Sequence, residues 1–357
     1  MSASGSRTLM IMAGGTGGHI FPALSVAEYI RAQGWNVVWL GSQAGMEARI
    51  VAPKGYTMAW IRFSGVRRRG VVPLALLPVN LLIAFWQSAR AIFAHRPDVV
   101  LGMGGYIAFP GGMMASLLNR PLVLHEQNSI AGLANRVLSQ VADKVLVAFP
   151  GALAKGEWTG NPVRADIASI APPEARFTGR AGPLRLLVLG GSQGASALNE
   201  VVPQAIALMP EASRPRVTHQ AGTAHIETVR ANYGRVGVRA DILTFIDDMA
   251  ARYAEADLLV CRAGASTIAE LATAGVASVL VPFPYAVDDH QTTNARFLAE
   301  RGGAMLVPQS ELTPEKLSGL IAALDREKLH AMARAARAAG KPAATRTVAE
   351  ACMRLAA

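Results

Sequence analysis

The segment Gly14-Gly15-Thr16-Gly17-Gly18-His19 joins bare main chain to an imidazole, the two things needed to hold an anion and move a proton in one place. Glycines let the backbone approach a ligand, and amides at a helix start favour negative charge. His19 opens the helix, where the positive end of the dipole disfavours an imidazolium and leaves the ring able to accept a proton near neutral pH. The loop is no Walker motif, because no Gly-Lys-Ser/Thr follows, and Ile20 stands where a dinucleotide fingerprint needs its third glycine. A tight turn that packs helix on sheet, with a histidine satisfying main-chain groups, is the plainer alternative.

A second segment, Cys261-Arg262-Ala263-Gly264-Ala265-Ser266-Thr267-Ile268-Ala269-Glu270, leads from a strand end through glycine and small hydroxyl residues into a helix start suited to pyrophosphate. Glu270 falls about one turn inside, within reach of the vicinal hydroxyls of a ribose. The same spacing also reads as a capping box between Thr267 and Glu270. Asp288-Asp289-His290-Gln291-Thr292-Thr293-Asn294 lies beyond an apolar strand at 277–281, where amides and acids could fix sugar hydroxyls or simply cap a solvated helix. No Asp-x-Asp occurs, which argues against a metal holding a diphosphate and leaves helix dipoles and Arg164 for that task. Neither a metal nor a cofactor is expected.

Arg67-Arg68-Arg69 precedes residues 71–86, sixteen positions of which only Asn80 is strongly polar. That is short of the roughly 20 residues that span a bilayer. An interfacial position fits better, with the arginines on anionic headgroups, Leu74, Leu77, Leu81 and Phe85 inserted and Trp86 closing the stretch. A buried core helix is the other reading.

These motifs need elements to position them. At 357 residues the chain exceeds the roughly 250 to 300 at which one core stops growing, so two domains are expected. With 51% apolar and 17% charged residues it is globular, with a greasy surface. The net charge of +10 is carried mostly by arginine, which grips phosphate in a planar fork. Nucleic acid is set aside as a partner, because aromatics are only 6% and no zinc knuckle, recognition helix or aromatic RNA-binding motif is found. Cys261 and Cys352 form no disulfide framework, and the start lacks a secretory cleavage pattern, so a reducing cytoplasm is expected.

A strand at 8–12, the glycine turn and a helix at 21–33 opened by Pro22 make half of a βαβ unit. Strands at 37–40, 98–101 and 121–124 continue it as a parallel doubly wound sheet. A strand at 184–189, a turn at 190–194 and a helix at 195–208 start again 176 residues later, followed by strands at 241–245, 257–261 and 277–281. Residues 161–164 and 172–183 read as linker. The expected division is 1–162, which carries the membrane-associating stretch, 163–340, and a final helix within 341–357 crossing back to the first.

Seven strings carry a family resemblance in order: 14–22, 100–106, Leu124-His125-Glu126-Gln127-Asn128, Gly160-Asn161-Pro162-Val163-Arg164, 190–195, Phe245-Ile246-Asp247-Asp248-Met249 and 261–264. Together they resemble the MurG family of the GT-B superfamily, which transfers N-acetylglucosamine from UDP-N-acetylglucosamine to lipid I and makes lipid II. The resemblance runs from about Leu9 to the last helix. It implies two Rossmann-like doubly wound parallel-sheet domains facing a cleft. It places Ile246 on the uracil through its main chain, Glu270 on the ribose, and Ala265, Ser266, Thr267, Ile268 and Ala269 on the diphosphate. Ser192 and Arg164 contact the nucleotide, Asn128 and Gln291 the donor sugar, and Thr16, Gly17, Gly18 and His19 face the acceptor. Two departures stand out: Ala263 where the family commonly has serine, and His290 where many members have glutamine, so Gln291 alone is carried over.

The family reaction inverts the anomeric centre, which implies one in-line attack by the C4 hydroxyl of the muramyl sugar, with His19 as base and Glu126 as the fallback. The implied setting is peptidoglycan synthesis, and with it cell shape and division, on the cytoplasmic face of the inner membrane, with cell-wall synthesis proteins as partners. A UDP-N-acetylglucosamine 2-epimerase and a non-catalytic scaffold for lipid-linked precursors are the rival readings.

Overall fold

Strand β1 (Thr8–Met12) is buried along its apolar run Leu9-Met10-Ile11-Met12, as a parallel strand covered on both faces must be. It is the first of a seven-stranded parallel sheet in the computed structural model, which describes residues 6–63, 76–190 and 194–356. The other strands are β2 (Asn36–Gly41), β3 (Thr57–Trp60), β4 (Val99–Gly102), β5 (Leu122–Glu126), β6 (Lys144–Val147) and β7 (Glu157–Trp158), in the order β3-β2-β1-β4-β5-β6-β7. A second sheet holds β8 (Arg185–Leu189), β9 (Arg216–Gln220), β10 (Ala240–Leu243), β11 (Leu258–Cys261), β12 (Ser278–Leu280) and β13 (Ala304–Leu306), in the order β10-β9-β8-β11-β12-β13, also parallel. Both sheets therefore wind outward from their first strand and reverse between the first and fourth, the place where open α/β sheets bind ligands.

The chain divides into two compact units, one of Met1–Arg164 with Pro342–Ala357, the other of Ala165–Lys341. Within the first, the helix Ala344–Leu355 packs on the helix Gly17–Ala32 and adds Val348, Ala349, Ala351 and Cys352 to the core under β1. The Thr345 hydroxyl donates to the Val163 carbonyl at 2.8 Å and accepts from the Val163 amide at 3.2 Å, pinning the end of that unit.

Two expectations need correction. Residues 172–183 are not a loose linker: the helix Pro173–Phe177 lies within the second unit, and Arg176 donates to the carbonyls of Tyr253, Ala274 and Gly275. Arg180 binds the buried Asp257 carboxylate at 2.6 Å. Proline and charge suggested solvent, but the guanidinium groups are spent on carbonyls at helix ends. The second correction concerns the apolar stretch, which forms a helix, Leu77–His95, running nine residues past Trp86. Leu77 and Leu81 pack on the core and Phe85 lies 5.9 Å from the Phe109 ring, so they are not the outward residues. The helical repeat instead exposes Leu76, Val79, Leu82 (68%), Ile83, Trp86 (62%) and Phe93. Arg67, Arg68, Arg69 and Leu74 lie outside the described residues.

Candidate active site

In the first unit the turns after β1 and β4 meet main chain to main chain. Met103 N donates to Met12 O at 2.8 Å, and a Cβ on Gly105, whose φ is 83°, would stand 2.2 Å from Gly14 O. A Cβ on Gly104 (φ 91°) would stand 2.9 Å from His19 Nδ1. These glycines are required by contact as well as by the left-handed backbone. The helix begins at Gly17, four residues before the expected start, so Thr16, Gly17, Gly18 and His19 are themselves its first turn. No side chain caps it, and the Thr16 carbonyl accepts from the amides of His19 and Ile20.

The string His125-Glu126-Gln127-Asn128 leaves β5 with its side chains alternating between two sides. Glu126 is 1% exposed, and its carboxylate accepts from the Asn128 amide at 2.8 Å, Asn135 Nδ2 at 2.8 Å and the Gly132 amide at 3.3 Å. That geometry holds the loop after β5 and orients Asn128, whose Nδ2 lies 3.4 Å from the same carboxylate, so Glu126 is a scaffold carboxylate and a poor fallback base. His125 and Gln127 point the other way. The His125 Nε2 donates to Gly160 O at 2.9 Å, Gln127 Nε2 donates to His125 Nδ1 at 3.0 Å, and Gln127 Oε1 lies 2.8 Å from His19 Nδ1. Burial pushes the His125 pKa down to about 4, so the ring is neutral.

In the second unit the helix Ala265–Ala274 starts at the carboxyl end of β11 from Gly264, with no side-chain cap. The capping-box reading of Thr267 and Glu270 therefore fails, because the helix begins too early for Thr267 to be its cap. Among the described residues no hydrogen bond to its first amides is found, and the buried Ser266 hydroxyl beside them has no partner. By contrast, Thr313 and Asp325 cap the helices Pro314–Ala322 and Arg326–Ala339. Tyr253 donates to Glu270 Oε2 at 2.9 Å and holds that carboxylate. Gln291 Oε1 accepts from the amides of Phe283 at 2.9 Å and Ala263 at 3.2 Å, which leaves its NH2 as the outward donor. Asn294 Nδ2 binds the Ala263 carbonyl, so the main chain at Ala263 is fixed by both amide side chains. Ile246 is buried by its side chain, and no hydrogen bond to its main chain is found among the described residues.

The structure thus gathers Thr16, Gly17, Gly18, His19, Glu126 and Asn128 in one unit, with Arg164 at that unit's end, and Ile246, Ala265, Ser266, Thr267, Ile268, Ala269, Glu270 and Gln291 in the other. Ser192 lies outside the described residues. Among the described residues no group of three or more His, Cys, Asp or Glu is placed to hold a metal. Gln127, His125, Gly104 and Tyr253 were not singled out as site residues. The alternation of strand side chains was the available signal for the first two.

Residues 9–147 match the glycosyltransferase family 28 N-terminal domain and residues 185–349 its C-terminal domain. A protein of Cupriavidus metallidurans named UDP-N-acetylglucosamine–N-acetylmuramyl-(pentapeptide) pyrophosphoryl-undecaprenol N-acetylglucosamine transferase is 63% identical over 98% of this chain and 99% of its own length. One of the same name from Azoarcus sp. is 62% identical over 98% of both chains. The crystal structure of Acinetobacter baumannii MurG superposes with a TM-score of 0.86 at 41% identity, covering 98% of this chain and 99% of that one. With both domain profiles matched in order and relatives alike from end to end, the chain belongs to glycosyltransferase family 28.

Proposed function

We propose that the chain transfers N-acetylglucosamine from UDP-N-acetylglucosamine to the muramyl sugar of lipid I, giving lipid II for peptidoglycan synthesis. The observation that carries this is end-to-end likeness to transferases named for that reaction, which leaves the epimerase and scaffold readings without support.

The second unit binds the donor. Uncapped amides at the start of the helix Ala265–Ala274 and the Ser266 hydroxyl receive the diphosphate, Glu270 the ribose, Ile246 the uracil through its main chain, and the Gln291 NH2 a sugar hydroxyl. Arg164 adds positive charge for the departing UDP. The first unit serves the acceptor, with the amides of Gly17 and Gly18 toward its pyrophosphate and Asn128 toward the donor sugar. The C4 hydroxyl attacks the anomeric carbon in line, His19 takes its proton, and UDP leaves. The exposed stripe of Leu76, Val79, Leu82, Ile83, Trp86 and Phe93 rests on an anionic membrane surface, since the opposite face of that helix is committed to the core. On this reading the protein sits peripherally on the cytoplasmic face of the membrane that carries lipid I.

Labelled UDP-N-acetylglucosamine incubated with a lipid I analogue gives a lipid-linked disaccharide on this reading. Free epimer, or no product from well-folded protein, would sink it.

A further inference from the structure

We propose that Gln127 and His125 are positioning residues that hold the His19 ring with its proton on Nδ1, so that Nε2 is the atom that receives the acceptor's proton. The inference rests on the reading of His19 as base and adds to it which nitrogen acts and what fixes it.

The order of donors and acceptors decides the matter without reference to any assigned amide orientation. The chain ends at Gly160 O, which only accepts, so the His125 Nε2 facing it at 2.9 Å carries a proton. The buried His125 ring is neutral, so its Nδ1 is bare and needs a donor. Of the two ends of the Gln127 amide, only the NH2 can supply one, and it lies 3.0 Å from His125 Nδ1 and 3.1 Å from the His125 carbonyl. The Gln127 carbonyl must then face His19, and at 2.8 Å from Nδ1 it demands a proton there. His19 is half-buried, and no other hydrogen bond to its ring is found among the described residues, so Nε2 keeps its lone pair. Gly104 leaves the room in which this contact forms, since a Cβ there would press on Nδ1 itself.

During transfer the hydroxyl proton moves to Nε2 as the new carbon–oxygen bond forms and the bond to UDP breaks. The resulting imidazolium keeps its Nδ1 proton, and the Gln127 carbonyl shares the new charge. No proton travels along the relay.

Nitrogen NMR of protein labelled in the histidine rings reads the tautomer directly, with the His19 signals identified by their loss in His19→Ala. In the unaltered protein Nδ1 should carry the proton and Nε2 should be bare. In Gln127→Leu the proton should redistribute toward Nε2, with kcat falling on the order of 10- to 100-fold and KM for UDP-N-acetylglucosamine staying within about twofold. A proton on Nε2 in the unaltered protein, or a Gln127→Leu variant with normal kcat, would overturn the relay even if His19→Ala were inactive. A fully active His19→Ala would instead remove the base itself, whatever the tautomer. The tautomer measurement on the unaltered protein stands even if Gln127→Leu does not fold.

Discussion

In the first unit the turns after the first and fourth strands press main chain on main chain at Gly14 and Gly105, and beside them a side-chain relay ends at His19. In the second unit the helix after its fourth strand likewise begins with no side-chain cap, and Gln291 Oε1 and Asn294 Nδ2 bond the backbone at Ala263. The two sheets share one winding order. Both helix starts lack a side-chain cap, and what differs is the imidazole held beside the first. One topology thus carries two different sets of side chains at equivalent places.

His19→Ala should lower kcat about 10²- to 10⁴-fold while calorimetry finds UDP affinity unchanged. Parallel loss of UDP binding would mean that the division of labour is wrong. Next in size, Gly105→Ala should destabilise the protein by about 2 to 4 kcal/mol in denaturant unfolding, because it adds a Cβ against Gly14 O on a left-handed backbone. Gly132→Ala, where nothing lies within 4 Å, should cost under about 1 kcal/mol.

Both units bury a neutral histidine, His125 and His219, each held near a pKa of about 4 by burial. An unfolded histidine binds a proton near 6.5, so between the two values the unfolded chain holds more protons and acid favours unfolding. Stability is complete above about pH 7 and should fall by up to about 3 kcal/mol per ring as pH drops toward 4. His219 bonds Tyr233 and Asn199 within its own core, so His219→Gln should change that acid sensitivity and leave kcat near normal. The smallest effect belongs to Ser266→Ala. Removing a buried hydroxyl without a partner should leave apo stability equal or slightly higher, yet weaken UDP binding about 3- to 12-fold, the worth of one hydrogen bond. Unchanged affinity would detach Ser266 from the diphosphate.

Periodicity and turn chemistry made much of the fold legible. β1, β8 and β11 fall within a residue of where their apolar runs place them, because a strand buried on both faces must be continuously apolar. β9 was missed: its end Thr218-His219-Gln220 is polar, and His219 is satisfied by Tyr233 and Asn199, which meet it only in the folded core. The glycine turns and the small-residue helix start were readable because backbone access leaves a compositional trace.

The sequence on its own carried the pair of parallel sheets and the small-residue helix starts at their carboxyl ends, since each leaves its pattern in neighbours close along the chain. Only the tertiary structure decided which face of the helix Leu77–His95 is exposed, that Arg176 and Arg180 serve helix ends instead of solvent, and that Glu126 holds a loop while Gln127 reaches His19. Those outcomes turn on packing and hydrogen bonds between residues up to about a hundred positions apart, and no local pattern records which distant groups will meet.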